Sequence, residues 1–404
     1  MNKYIVLLAL ATCSIGVSLS GINTIHFVFL ITGGFLGSAL ALLGPKDNNL
    51  NSFLLFYLSP FVLSLFISLP VNYLFFNDKF HYYELDIVGR VVMLTATVFT
   101  IMSIHSFTLN KRMSFNTVLK TYYFSCIVMV LSAIWQALDF HTSFPVSFPF
   151  ETRTNVHGSQ NVSLDKRLTG LAEEPSYLAP FLNEFLIFTV LLVKNKMLKW
   201  GAVSLGIILI FLTFSPSSYT SFLILAAIFV FYKVNKVFFA FIVSAIILIV
   251  PFFTFGDIEA LTYYNDRILG VEGSGRFRII ADSLSLFFND TNFFSLLFGN
   301  GFKTFQIMST APEISYYRIT SNNLFVDVVF ECGIIGVILL IAFLVYLFKL
   351  ASRVKDRDLK LMSLLLYFNL FLSSFYRADF TTLKFFIIIY IIFYVSNYYK
   401  TIKI

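Results

Sequence analysis

Charge is scarce in this chain: only 13% of its 404 residues are Asp, Glu, Lys or Arg, and only three are cysteine. A soluble domain carries about 25% charged and roughly 45–50% apolar residues, so a chain with 58% hydrophobic residues is not one. Cys13, Cys126 and Cys332 each sit inside an apolar run, which argues against a disulfide framework. The formal net charge of +7 does not point to nucleic acid, because the basic residues are spread over short loops and no basic domain is present. There is also no internal repeat and no low-complexity tail.

What the chain has in abundance is apolar length. A bilayer core of roughly 30 Å takes about 20 apolar residues per helix. On that ruler the spans fall at 4–20, 22–43, 53–75, 88–107, 122–138, 177–193, 200–214, 218–231, 237–255, 324–348, 361–375 and 382–398. The first resembles a signal peptide, but the next run begins almost at once, and it is read as a retained helix. Pro60 is expected to kink the third. The fold class is therefore an all-α polytopic membrane protein of about 12 transmembrane helices. The 51 Phe and 21 Tyr residues suit lipid-facing surfaces and interfacial belts.

Alternating the spans from a cytoplasmic N-terminus places Lys46, Lys111, Arg112, Lys120, Lys194, Lys196, Lys199, Lys233, Lys236, Lys349, Arg353, Lys355, Arg357, Lys360, Lys400 and Lys403 on one side. The opposite short turns then hold only Lys79, Arg377 and Lys384. The positive-inside rule favours this orientation, with both termini cytoplasmic and both long polar loops outside. The resulting organisation is 1–138 (N-terminal helices), 139–176 (first outer loop), 177–255 (middle helices), 256–323 (second outer loop) and 324–404 (C-terminal helices).

An outer surface offers neither ATP nor a nucleotide sugar, so chemistry there must use a substrate already activated and delivered by the membrane. A lipid-linked diphosphate fits, and arginine supplies the planar, bidentate donors that hold such oxygens. Arg167 in the first loop and Arg267, Arg276, Arg278 and Arg318 in the second are available, though a transporter's outer loops also carry scattered arginines. Arg90, beside Asp86 at the start of the 88–107 span, reads either as a snorkelling charge at the membrane edge or as one facing a polar cavity.

The first loop closes on Arg167-Leu168-Thr169-Gly170-Leu171-Ala172-Glu173-Glu174-Pro175-Ser176-Tyr177-Leu178-Ala179. Gly170 permits a close approach, and Pro175 and Ser176 suit a helix start. This run resembles the Arg-x-x-Gly-x-x-x-(Glu/Asn)-Pro-(Ser/Asn)-x-x-Ala pattern of the O-antigen polymerase and ligase superfamily. Further phrases resembling that superfamily follow in order: Leu212-Thr213-Phe214-Ser215, Gly275-Arg276 heading a helix of the second loop, Leu297-Phe298-Gly299-Asn300-Gly301-Phe302, and Asn323-Leu324-Phe325 with Glu331-Cys332-Gly333-Ile334-Ile335-Gly336. Ligases of the superfamily commonly show His-Asn where this chain has Asn322-Asn323, which directs the resemblance to the polymerase branch.

The resemblance implies a GT-C type membrane glycosyltransferase that joins undecaprenyl-diphosphate-linked oligosaccharides, donor and acceptor, at the periplasmic face of the bacterial inner membrane. It implies inversion at the anomeric carbon, no metal ion, no cofactor, no nucleic-acid partner, and a chain-length regulator protein as a possible associate. The chemistry asks for preorganised cations on the leaving diphosphate and a base for the attacking hydroxyl. Arg167 and Arg276 are assigned to the diphosphate and Glu173 to the base, with Glu174 beside it and His157, Asp282 and Glu313 behind. Arg90, Glu174, Arg278, Arg318, Asn322 and Asn323 are assigned to substrate binding. The rivals are a ligase, which transfers finished glycan to a lipid core, and a transporter or flippase. The spans read as nearly bare of ionisable residues, which counts against transport.

Overall fold

The computed structural model describes residues 2–13, 26–35, 47–75, 84–142, 168–172, 174–213, 215–233, 275–290, 292–304, 321–378 and 380–398. Among them every regular element is a helix and none is a strand. In chain order these are α1 (Asn2–Ala11), α2 (His26–Phe35), α3 (Asn48–Leu63), a π-helical turn (Ser64–Ser68), α4 (Leu69–Phe75), α5 (Glu84–Leu109), α6 (Phe115–Thr142) and α7 (Pro175–Leu192). Then come α8 (Lys196–Leu212), α9 (Pro216–Lys233), α10 (Gly275–Asp290), α11 (Phe293–Phe298), α12 (Leu324–Arg353), α13 (Arg357–Ser373) and α14 (Leu383–Tyr398).

Six stretches are long and apolar enough to cross a membrane: Asn48–Phe75, Ile87–Leu109, Phe115–Leu138, Pro175–Leu192, Pro216–Lys233 and Leu324–Arg353. Each coincides with a span expected from the sequence, and the chain is an all-helical polytopic membrane protein. The spans at 200–214, 361–375 and 382–398 are present as the shorter helices α8, α13 and α14. The expected span at 237–255 lies outside the described residues.

Helix starts follow side-chain chemistry. Asn195 caps α8 by accepting from the N–H groups of Met197 and Leu198 at 3.0 and 3.2 Å, and Asp356 caps α13 by accepting from Asp358 and Leu359. Pro60 lies inside α3, which continues past it to Leu63 before the hydrogen-bond ladder widens into the π turn at Ser64–Ser68.

The chain forms two compact units, Met1–Phe56, Leu85–Phe222 and Phe343–Ile404 in the first, Tyr57–Glu84 and Leu223–Ala342 in the second. In the first unit α14 is buried on every face from Leu383 to Val395, as expected of a helix that is apolar all round. Phe393 packs on Phe53 at 4.7 Å between ring centroids, and Tyr394 stacks on Phe115 at 4.2 Å. A Cβ on Gly34 of α2 would stand 2.8 Å from the Cα of Ala96, so α2 and α5 touch backbone to backbone through small residues.

One end of this unit is tied by Asp47. Its carboxylate accepts from His105 Nε2 at 2.8 Å, from the Tyr398 hydroxyl, and from the Asn49 N–H at 2.9 Å. Burial pushes the Asp47 pKa up, but the hydrogen bonds from Tyr398, His105 and Asn49 outweigh it and hold the carboxyl below its ordinary value. Loop counting assigns Asp47 and the ends of α5 and α14 to one membrane side, and these are the residues that meet.

Candidate functional site

At the other end of the first unit, the segment closing the first loop is pinned to α6. Gln136 Oε1 accepts from the N–H groups of Thr169 and Gly170, each at 2.9 Å, and Ser132 Oγ accepts from Leu171 N–H at 3.1 Å. Gly170 has φ +57°, and a Cβ there would meet Ser132 Oγ at 2.8 Å. The close approach expected of this glycine is the approach to α6.

Four residues on, Glu174 is extended, and Pro175 opens α7 at the position where a missing N–H costs nothing. The Ser176 hydroxyl donates to Glu174 Oε2 at 3.3 Å. Arg377, from the turn between α13 and α14, donates through Nη1 to the Tyr177 carbonyl at 2.8 Å and lies over the Tyr177 ring at 4.5 Å. Three residues further along the same turn, Phe380 receives the guanidinium of Arg90 from α5 at 4.6 Å. Arg90 and Glu174, assigned to one site from sequence, are thus linked through Arg377, Tyr177 and Phe380.

Deeper along α7 lies a polar network. Glu184 pairs with Lys384 of α14 at 3.0 Å and accepts from the Tyr122 hydroxyl at 2.5 Å and from Asn369 Nδ2 at 2.9 Å. Asn183 bonds Ser221 and Asn369, each at 3.1 Å, and the Lys384 ammonium sits 4.7 Å from the Phe181 ring centroid. Glu184 and Lys384 are 1% and 6% exposed. Lys384, counted among the short-turn charges, is the second residue of α14 and is buried, and the nearly bare spans hold a buried ion pair that joins Pro175–Leu192 to α14.

The second unit holds the Gly275-Arg276, Leu297–Phe302 and Asn323–Gly336 phrases, while Leu212–Ser215 falls in the first. α12 breaks its helical geometry at Gly333, with φ +67°, so the carbonyls before the break look outward for partners. Asn300 N–H donates to the Phe330 carbonyl at 2.8 Å, and Gly301 N–H to that of Glu331 at 3.2 Å. Gly299 has φ +84°, and a Cβ on either Gly299 or Gly333 would overlap the backbone of the other segment. The Leu297–Phe302 phrase and the Glu331–Gly336 phrase, separate in sequence, form one knot. Asn72 ties it further, donating to the Gly299 carbonyl at 3.1 Å and accepting from Ser295 Oγ at 2.8 Å.

Asn323 caps α12, accepting from Phe325 and Val326 N–H at 3.0 and 3.2 Å. Asn322 sits just before it at φ +57°, a left-handed conformation that asparagine tolerates better than most residues. α10 lays Ile280, Leu284 and Phe287 against Val326, Val329 and Phe330 of α12. Arg276 and Arg278 lie in the first turn of α10, and Arg276 is one turn before Ile280.

Of the residues assigned from sequence, Arg90 and Glu174 fall in the first unit and Arg276, Arg278, Asn322 and Asn323 in the second. Arg167, Glu173 and Arg318 lie outside the described residues, as do His157 and Glu313. Sequence reasoning missed Arg377, Glu184 and Lys384 as members of built polar clusters. The only signal was a charged residue inside or beside an apolar run, and the partners are 200 residues apart in the chain.

No protein-family model matches the chain, and no curated protein matches it at a significant level.

Proposed function

We propose that this chain is a surface-polysaccharide polymerase of the O-antigen type, a GT-C type glycosyltransferase of about 12 spans. It joins undecaprenyl-diphosphate-linked repeat units at the periplasmic face of the bacterial inner membrane. The supporting observation is the knot in which the segments of Gly299 and Gly333 pack backbone against backbone and Gly301 N–H donates to the Glu331 carbonyl. Those glycines belong to two phrases that resemble the superfamily's, and the close packing gives a physical reason for glycine at 299 and 333, as the approach of Leu69 does at 301.

In this reading Arg276, with Arg167, holds the leaving diphosphate as charge develops on it, and Glu173 takes the proton of the attacking hydroxyl. Arg90, Glu174, Arg278, Arg318, Asn322 and Asn323 line the donor and acceptor. A polyprenyl diphosphate departs without a general acid, so stabilising the departing charge is the main task. A guanidinium gripping two oxygens is not replaced by an ammonium. Reconstituted in vesicles with a lipid-linked repeat unit and no nucleotide sugar, the wild-type chain should lengthen the glycan, and Arg276→Lys should not. Wild-type vesicles that leave the glycan at one repeat would sink the reading.

Transport is the second reading, and the Glu184–Lys384 pair within the helices favours it, since ionisable residues in spans mark transport pathways. Movement of the lipid-linked unit between leaflets by the same vesicles, without elongation, would establish it.

A further inference from the structure

The first turn of α7 is poorly held by its own helix. Pro180 has no N–H to donate to the Ser176 carbonyl, and its ring crowds that carbonyl. Tyr177 and Leu178 N–H both reach back to the Glu174 carbonyl at 2.9 and 3.3 Å, so the placement of Glu174 and of the first turn are one geometric question.

The answer comes from outside, from the α13–α14 hairpin. Asn369 donates to the Pro180 carbonyl at 3.1 Å, Lys384 covers the Phe181 ring and pairs with Glu184, and Arg377 takes the Tyr177 carbonyl and the Tyr177 ring together. These contacts run up one stripe of α7, at 177, 180, 181 and 184, and Arg377 is the last before the Glu174 segment. Arg377 as a whole is 1% exposed. Burying a cation costs several kcal/mol in desolvation, and here a carbonyl and an aromatic face offset that cost.

We propose that Arg377 is a positioning residue for the transfer reaction inferred above: it fixes the start of α7 so that Glu174 and the loop end leading into it are presented in one orientation. The inference rests on that reading of the reaction. It differs from the role given to Arg276, because Arg377 acts through Tyr177. The turn carrying it also carries Phe380 beneath Arg90, so one short segment sets two elements that the sequence assigns to the substrate. A lysine at 377 keeps a cation over the ring and one donor for the carbonyl, whereas methionine keeps neither.

The test reads position and chemistry separately. Ser176→Cys, at a site 2% exposed, is labelled with a membrane-impermeant thiol reagent in cells; the native cysteines are buried. Arg377→Met should speed labelling at 176 and cut polymer yield by about tenfold or more, the scale of a lost charge-assisted hydrogen bond. Arg377→Lys should leave labelling slow and retain most of the polymer. Unchanged labelling in Arg377→Met overturns the clamp, and faster labelling with normal polymer overturns its relevance to transfer. Slow labelling with lost polymer in Arg377→Lys also overturns the proposal, since the guanidinium itself would then be required. Where Arg377→Met does not reach the membrane, Arg377→Lys carries the test on the same two readouts. A wild-type chain that makes no polymer overturns the reaction reading and the role in transfer, while labelling still decides whether Arg377 sets the loop.

Discussion

Lys384 Nζ stands 3.0 Å from Glu184 Oε1 within the helices of the first unit, with Asn369 and Tyr122 completing the carboxylate's partners. A buried pair of this kind adds little net stability over an apolar substitute, but removing one partner strands the other charge and costs about 3–5 kcal/mol. Glu184→Leu or Lys384→Met alone should sharply lower the unfolding temperature of the purified protein, and the double variant should recover a large part of the loss. Additive losses in the double variant would show that the two residues are not coupled.

The glycine knot makes a contrasting pair of predictions. Gly333→Ala or Gly299→Ala places a methyl group into opposing backbone at positive φ, and should remove folded protein from the membrane. Gly89→Ala on α5 meets nothing within 4 Å, and should be neutral or stabilising by about 0.5–1 kcal/mol. Comparing protein level and thermal unfolding of the three variants checks this; equal tolerance of all three would refute the packing.

Much of this was legible beforehand, and the limits are physical. Spans such as 53–75 and 324–348 were readable because membrane length is written directly in apolar run length. The α7 start was readable because Glu174, Pro175 and Ser176 act locally. The break in α12 at Gly333 was not, since the apolar run continues through it and only the Leu297–Phe302 segment, packed from outside, explains it. Arg377 and Lys384 read as isolated turn charges for the same reason: their partners come from α7, and long-range pairing leaves no trace in local sequence.

Asp47 gives a pH dependence of determinate sign. Its folded pKa lies below the ordinary 3.8, so its bonds to His105 and Tyr398 contribute stability fully above that value, and the contribution fades as pH falls through the lower folded pKa. Asp47→Ala should lose about 1–3 kcal/mol near neutral pH. Its unfolding temperature should converge with that of the wild type as pH falls from 3.8 through the lower folded value. A difference that persists unchanged into strong acid would show that the ionised carboxylate is not what holds Tyr398.

Orientation is tested by impermeant labelling of single cysteines. Ser163→Cys and Asp290→Cys should react from outside sealed cells, and Asp356→Cys should not, as the positive-inside rule expects for a loop carrying Lys349, Arg353, Lys355, Arg357 and Lys360. Labelling of Asp356→Cys from outside would invert the topology and remove both long loops from the periplasm.

Joining of repeat units is read by the lipopolysaccharide ladder of a deletion strain. Complementation with the wild-type chain should restore long-chain glycan. Arg276→Ala, present in the membrane at normal level, should leave lipid core capped with a single repeat unit. Bare core with long glycan accumulating on the lipid carrier would make the chain a ligase, and a ladder indifferent to the chain would rule out polymerisation.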